Sequence, residues 1–179
     1  SSVRTKSRRY SEGAMSTLLP TVRRLIAYTI WADRTVLAEL GSVRPEDLTR
    51  ETGTSFGSVL GTMAHILGSE QLWLSRFLGI PLGRAPSLED FPNLETLAAA
   101  YEDFWPQIEF FLASLAEEQL DQEFTWTNLA GETHTAAFRN VLLHFVNHAT
   151  YHRGQVVSLL RQLGYIPPHT DLVYFRGAF

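Results

Sequence analysis

Four stretches of about 20 residues repeat their apolar side chains with the period of an α-helix, and glycine or proline closes three of them. Leu18, Val22, Leu25, Ile26, Trp31, Val36, Leu37 and Leu40 line one side of a helix from Thr17 to Leu40. Ser16 or Thr17 can cap it, Pro20 suits its first turn, and Gly41 ends it. The second stretch begins near Ser55 or Ser58 and runs to Leu78, where Gly79 and Pro81 stop it. Asn93 is an N-cap type with Glu95 in the following turn, and the third stretch continues to about Leu115. Pro106 inside it predicts a kink or a division into two helices. The fourth spans Ala137 to Leu163, followed by Gly164 and by Pro167-Pro168, which forbid continuation. Helices of this length bury their apolar sides most economically against one another, so the pattern predicts an all-α four-helix bundle.

The connections are long and leave room for crossovers. Ser42–Gly53 reads as a polar connector, and Gly79–Pro92 as a loop holding three prolines and two glycines. Between Glu123 and Thr135 the residues turn β-favouring. Phe124-Thr125-Trp126-Thr127 and Glu132-Thr133-His134-Thr135 flank Asn128-Leu129-Ala130-Gly131, which predicts a short β-hairpin before the last helix. The aromatic tail from His169 to Phe179 is expected to pack back on the body.

Composition narrows the function. Cysteine is absent from the 179 residues, which excludes a disulfide scaffold, a thiolate-ligated metal and a cysteine nucleophile. Arg4, Lys6, Arg8 and Arg9 lie in residues 1–14 with only Glu12 opposing them. This segment reads as a disordered basic extension, with Met15 a candidate natural start and 15–179 a single domain. Of the 15 basic and 19 acidic residues, the body keeps 11 and 18, a formal charge of −7. An acidic body without a recognition-helix signature argues against nucleic-acid binding. No apolar run reaches the ~18–20 residues of a membrane span. The N-terminus lacks the hydrophobic stretch of a secretory signal, so the expected compartment is the cytoplasm.

The six histidines are the most informative feature. His144, His148 and His152 fall at i, i+4 and i+8 on the fourth helix, each step drifting only ~40° around the axis. A pair four apart can share one metal ion, with a further ligand from elsewhere in the bundle. The second helix offers His65 among Ser58, Gly61, Thr62, Gly68 and Ser69, a small polar stripe that fits either close helix approach or a cavity wall. Imidazole suits zinc, nickel, iron or copper, so spacing does not name the metal. His134 and His169 read as ordinary loop or surface residues.

The run His144-Phe145-Val146-Asn147-His148-Ala149-Thr150-Tyr151-His152-Arg153-Gly154-Gln155 closely resembles the final-helix signature of the DinB/YfiT-like superfamily. The resemblance extends to Ala64-His65-Ile66 with Trp73, and to Gly164-Tyr165-Ile166-Pro167-Pro168 leading to Asp171-Leu172. It implies a four-helix bundle with a crossover connection, a divalent metal held by three histidines, and frequent homodimers. By position the implied ligands are His65, His148 and His152. His144 matches a position usually not a ligand and is expected to hydrogen-bond near the site, with Asn147 and Gln155 as further supporting groups.

Three protein ligands leave coordination positions open, as in catalytic metal sites. The implied chemistry is activation of a low-molecular-weight thiol for S-transfer, or of water for hydrolysis. With no cysteine in the chain, any thiol belongs to the substrate. The alternative is a non-catalytic metal-binding or stress-response module. Glu70 and Glu102 are conceivable general bases, but spacing gives neither a place at the site. Phe104, Trp105, Phe110 and Phe111 cover more than one side of the third helix, a surplus that supports the expected homodimer.

Overall fold

The computed structural model describes residues 18–80 and 82–177. The basic segment 1–14, Met15 and the Ser16/Thr17 cap lie outside them. Four long helices carry the chain: α1 (Leu18–Leu40), α3 (Val59–Phe77), α4 (Leu94–Ser114) and α5 (Phe138–Gln162). A one-turn helix, α2 (Pro45–Leu48), interrupts the first connector, and the hairpin β1 (Glu123–Thr127) and β2 (Thr133–Ala137) leads directly into α5.

The boundaries follow local chemistry. The Ser58 hydroxyl accepts from the Gly61 amide at 3.0 Å and starts α3. Asn93 Oδ1 accepts from the Thr96 amide at 2.9 Å and starts α4. Gly164, at φ +88°, closes α5 in a Schellman motif: its amide donates to the Arg161 carbonyl, and the Tyr165 amide to that of Leu160. Pro106 does not split α4. It faces solvent, as does Glu102, whose carbonyl loses its helical donor to the proline ring, so water can replace the missing bond.

The first connector is more ordered than its polarity suggests. Asp47 is buried under Arg44, Arg50 and the Tyr165 hydroxyl, which donates to it at 2.7 Å. That bond, with the two guanidinium groups, holds the carboxyl below the usual carboxylate range.

Around the bundle α4 packs against α1 and α3, and α5 against α3 and α1. Pairs α1/α3 and α4/α5 are therefore diagonal, and the connections from α1 to α3 and from α4 to α5 cross the bundle. Ile26, Leu60, Met63, Leu67, Leu97, Ile108, Leu142 and Leu160 fill the centre. Each such side chain contributes about 1.5–3 kcal/mol by leaving water. Phe104, Trp105 and Phe111 are buried within this chain, and of the four aromatic residues only Phe110 is exposed. The surplus seen on the third helix is thus mostly absorbed by α4's own neighbours.

The hairpin pairs Phe124 with Ala136 and Trp126 with His134. Its alternation is amphipathic: Phe124 and Trp126 are half-buried, while Glu123, Thr125 and Thr127 face water. The Asn128 side-chain oxygen accepts from the amides of Ala130 and Glu132, which shapes the turn. The tail packs back as expected, with Phe175 buried against Tyr28 and Trp31 and the Tyr28 hydroxyl donating to the Thr170 carbonyl at 2.7 Å.

Candidate metal centre

His65 on α3 and His148 and His152 on α5 bring one nitrogen each into a cluster whose members all lie within 4.8 Å of one another. The Nε2 atoms of His65 and His148 are 3.3 Å apart. Two nitrogens each about 2.05 Å from a tetrahedral ion are separated by about 3.3 Å, so this edge of the cluster already has the dimension a metal requires. At His152, Nδ1 is 2.8 Å from Gln155 Oε1, one turn along α5. An amide oxygen only accepts, so the proton sits on Nδ1 and Nε2 is left to ligate.

Burial, followed by the nearby His152, pushes the His65 imidazole down to about 4. Burial and the neighbouring imidazoles push His148 down to about 4 as well. Both are therefore neutral at neutral pH, with a lone pair free for a cation. The three histidines could hold a metal ion, and the donor set does not name which.

Two glycines account for the small stripe on α3. A Cβ at Gly61 would lie 2.1 Å from the Phe56 carbonyl oxygen, and one at Gly68 would lie 2.0 Å from that of Pro86. The close approach is made by the backbones of two loops rather than by a helix, and those loops with His65 border an open cavity of about 540 Å³, lined also by Phe56, Pro86, Leu88 and Glu89. The Phe56 ring lies flat on His65, centroids 3.7 Å apart and planes 12° apart. Sequence reading missed Phe56. Its signal was an aromatic residue isolated in a Gly/Ser-rich connector, two positions before the Ser58 cap.

The remaining site candidates separate. His144 stands outside the nitrogen cluster, 5.8 Å from His148 by ring centroids and edge-on to Trp73 at 5.3 Å. Trp73 in turn meets Trp126 of the hairpin at 5.5 Å. Asn147 points elsewhere, lining a groove of about 700 Å³ between α1, α5 and the tail with Leu25, Tyr28 and Thr170. The reason is helical: a residue one position before His148 is turned by about 100° from it. Glu102 is exposed and paired with Arg34 at 3.4 Å. Glu70 is buried in the bundle core beside Asp33. His134 is exposed against Trp126 on the hairpin, and His169 is exposed on the tail.

The fold and the cluster define a class: a helical bundle with a three-histidine site able to take a metal. The sequence pattern of the DinB family spans residues 15–178, and the chain belongs to that family. It is 29% identical over 153 residues to Protein DinB of Bacillus subtilis (strain 168), covering 83% of this chain and 89% of that protein. A crystal structure assigned to the DinB family, from Exiguobacterium sibiricum 255-15, superposes with a TM-score of 0.57. It covers 89% of this chain and 99% of that one at 20% identity, a likeness of fold. Among the described residues no helix is long and apolar enough to cross a membrane.

Proposed function

We propose that this protein is a divalent-metal-dependent enzyme that activates a small thiol for S-transfer, or water for hydrolysis, with His65, His148 and His152 as the metal ligands. One observation carries the reading: three imidazole nitrogens from two helices converge within 4.8 Å beside an open cavity. A bound divalent ion would supply Lewis acidity, favouring the deprotonated thiol or water near neutral pH. Three protein donors leave coordination positions for such a group. Gln155 holds the tautomer and ring orientation of His152. Phe56 covers one face of His65, fixing that ring and keeping water from it. The cavity beside His65 is walled mainly by apolar side chains and would receive the electrophilic partner. Any thiol comes from outside, because the chain has no cysteine.

A non-catalytic metal-binding module is the second reading. It is favoured by the placement of the two acids considered as bases: Glu70 lies in the core and Glu102 is paired at the surface. The test is metal analysis of protein purified without a nickel column, followed by a screen of small thiols with electrophiles. One equivalent of zinc, nickel or iron and metal-dependent thiol consumption support the enzyme. Metal without turnover supports the module, and protein that takes up none of these ions refutes both. A homodimer in the cytoplasm completes the proposal, supported by the exposed Phe110. Sedimentation showing only ~20 kDa species at micromolar concentration would reject the dimer.

A further inference from the structure

Three ionisable side chains from three helices meet in the bundle core: Asp33 of α1, Glu70 of α3 and Arg153 of α5, at 0%, 2% and 2% exposure. Arg153 donates from Nη1 to Asp33 Oδ1 and from Nη2 to the Thr150 hydroxyl, both at 2.9 Å. Its guanidinium also lies over the Tyr28 ring. Asp33 Oδ2 and both oxygens of Glu70 have no donor from any other group, although Asp33 and Glu70 lie within hydrogen-bond reach of each other. Two carboxylates cannot bond. One carboxylic acid and one carboxylate can, and a single proton between them satisfies the facing oxygens. Arg153 grips Asp33, so the charge belongs there and the proton to Glu70.

We propose that Asp33, Glu70 and Arg153 form one electrically neutral unit of carboxylate, carboxylic acid and guanidinium that holds α5 in the register turning His152 toward His65. Apolar ridges can slip by a turn with modest loss, whereas a buried ion pair that slips leaves two charges unpaired in the core. Arg153 follows His152 directly, so anchoring one sets the direction of the other. The ionisable groups packed around the unit come from every adjoining helix: Tyr28 of α1 beside Arg153, and Tyr101 of α4, whose hydroxyl donates to the Met63 carbonyl, beside Asp33 and Glu70. Burial and the neighbouring Asp33 charge push Glu70 well above the ordinary carboxyl range. Only the consequence for metal rests on the function proposed above.

The test compares the wild type with Glu70→Gln, Asp33→Asn, the double variant and Arg153→Lys. Three readouts are taken: thermal midpoint against pH, ring ¹⁵N resonances of His152, and Co²⁺ titration. Glu70→Gln keeps a neutral donor, so its midpoint at pH 5 should stay within about 3 °C of the wild type. The unfolded wild type releases the Glu70 proton above 4.5 while the folded protein keeps it. Its midpoint should therefore fall relative to Glu70→Gln as pH rises toward 9. The double variant leaves Arg153 without a carboxylate and should lose cooperative folding, whereas each single variant retains one negative charge. Arg153→Lys keeps the charge but not the fork, so it should shift the His152 resonances and weaken Co²⁺ binding about ten-fold. The proposal is overturned if Glu70→Gln destabilises as much as Asp33→Asn, or if the double variant is no worse than the singles. Unchanged His152 resonances in folded Arg153→Lys overturn the positioning role. A wild type that takes up no Co²⁺ counts against the metal reading alone, because midpoints and resonances still decide this one.

Discussion

Replacing Gly61 with alanine tests the link between packing and the histidine cluster. The added Cβ would sit 2.1 Å from the Phe56 carbonyl oxygen, against the 3.0 Å below which real contacts essentially never fall. The backbone at Phe56 must therefore retreat by about 1 Å, since neither atom belongs to a flexible side-chain end. Overpacking of this kind costs about 1–3 kcal/mol, set against a helix-propensity gain of at most about 1 kcal/mol. At about 2–4 °C per kcal/mol for a domain of this size, a net loss of about 1–2 kcal/mol lowers the midpoint by about 2–8 °C. The retreat also pulls the Phe56 ring off His65, where it now lies at 3.7 Å, so metal affinity should weaken with stability. Gly154 supplies the control. It lies on the exposed side of α5, where an added Cβ would meet nothing within 4 Å, and Gly154→Ala should raise the midpoint by about 2–4 °C. Calorimetry and metal titration on both variants decide it. A Gly61→Ala protein that melts at or above the wild-type temperature with unchanged affinity would refute the packing argument.

His152→Ala should abolish high-affinity metal binding while circular dichroism stays helical, because most of the bundle's stability comes from apolar packing between the helices; His134→Ala, on the exposed hairpin, should change neither. Gln155→Leu removes the acceptor that orients His152 and should weaken binding about 10–100-fold in isothermal titration. Protons compete with metal, so affinity falls as pH falls; with His65 and His148 held down to about 4, these two ligands should begin to resist metal only well below the ordinary imidazole value of 6.5. The same shifts predict that metal-free protein loses stability as pH drops from 6.5 toward 4, because the unfolded chain takes up protons on these imidazoles that the folded chain refuses. Stability that rises over that interval would contradict the burial of the two rings.

Helix ends were the most legible part of the sequence because single residues govern them. Ser58, Asn93 and Gly164 each act through one or two backbone bonds within four residues. The spacing of His148 and His152 was legible for the same local reason. What escaped was non-local. Nothing in the local sequence joins Asp33, Glu70 and Arg153, and only the superposition of three helices makes them a core cluster. The contrast between Asn147 and Gln155 is instructive. Both are amides close to a histidine in sequence, yet three positions along a helix returns Gln155 to His152, whereas one position turns Asn147 away from His148. How much of the aromatic surplus on α4 stays exposed was not legible, because the helices that cover it are invisible locally.

The diagonal arrangement of the bundle has a consequence for the order in which the chain leaves the ribosome. The first long helix made, α1, finds its main packing partners in α4 and α5, the last two. The next long helix, α3, lies across the bundle from it. Nascent α1 therefore has no neighbour to cover Val22, Ile26 and Ile30 until synthesis has passed Leu94, and Asp33 has no counter-ion until Arg153 has emerged. Folding of this chain should therefore be a late, nearly all-at-once event rather than a stepwise addition of hairpins, and truncation before α5 should leave an adhesive, charge-frustrated fragment.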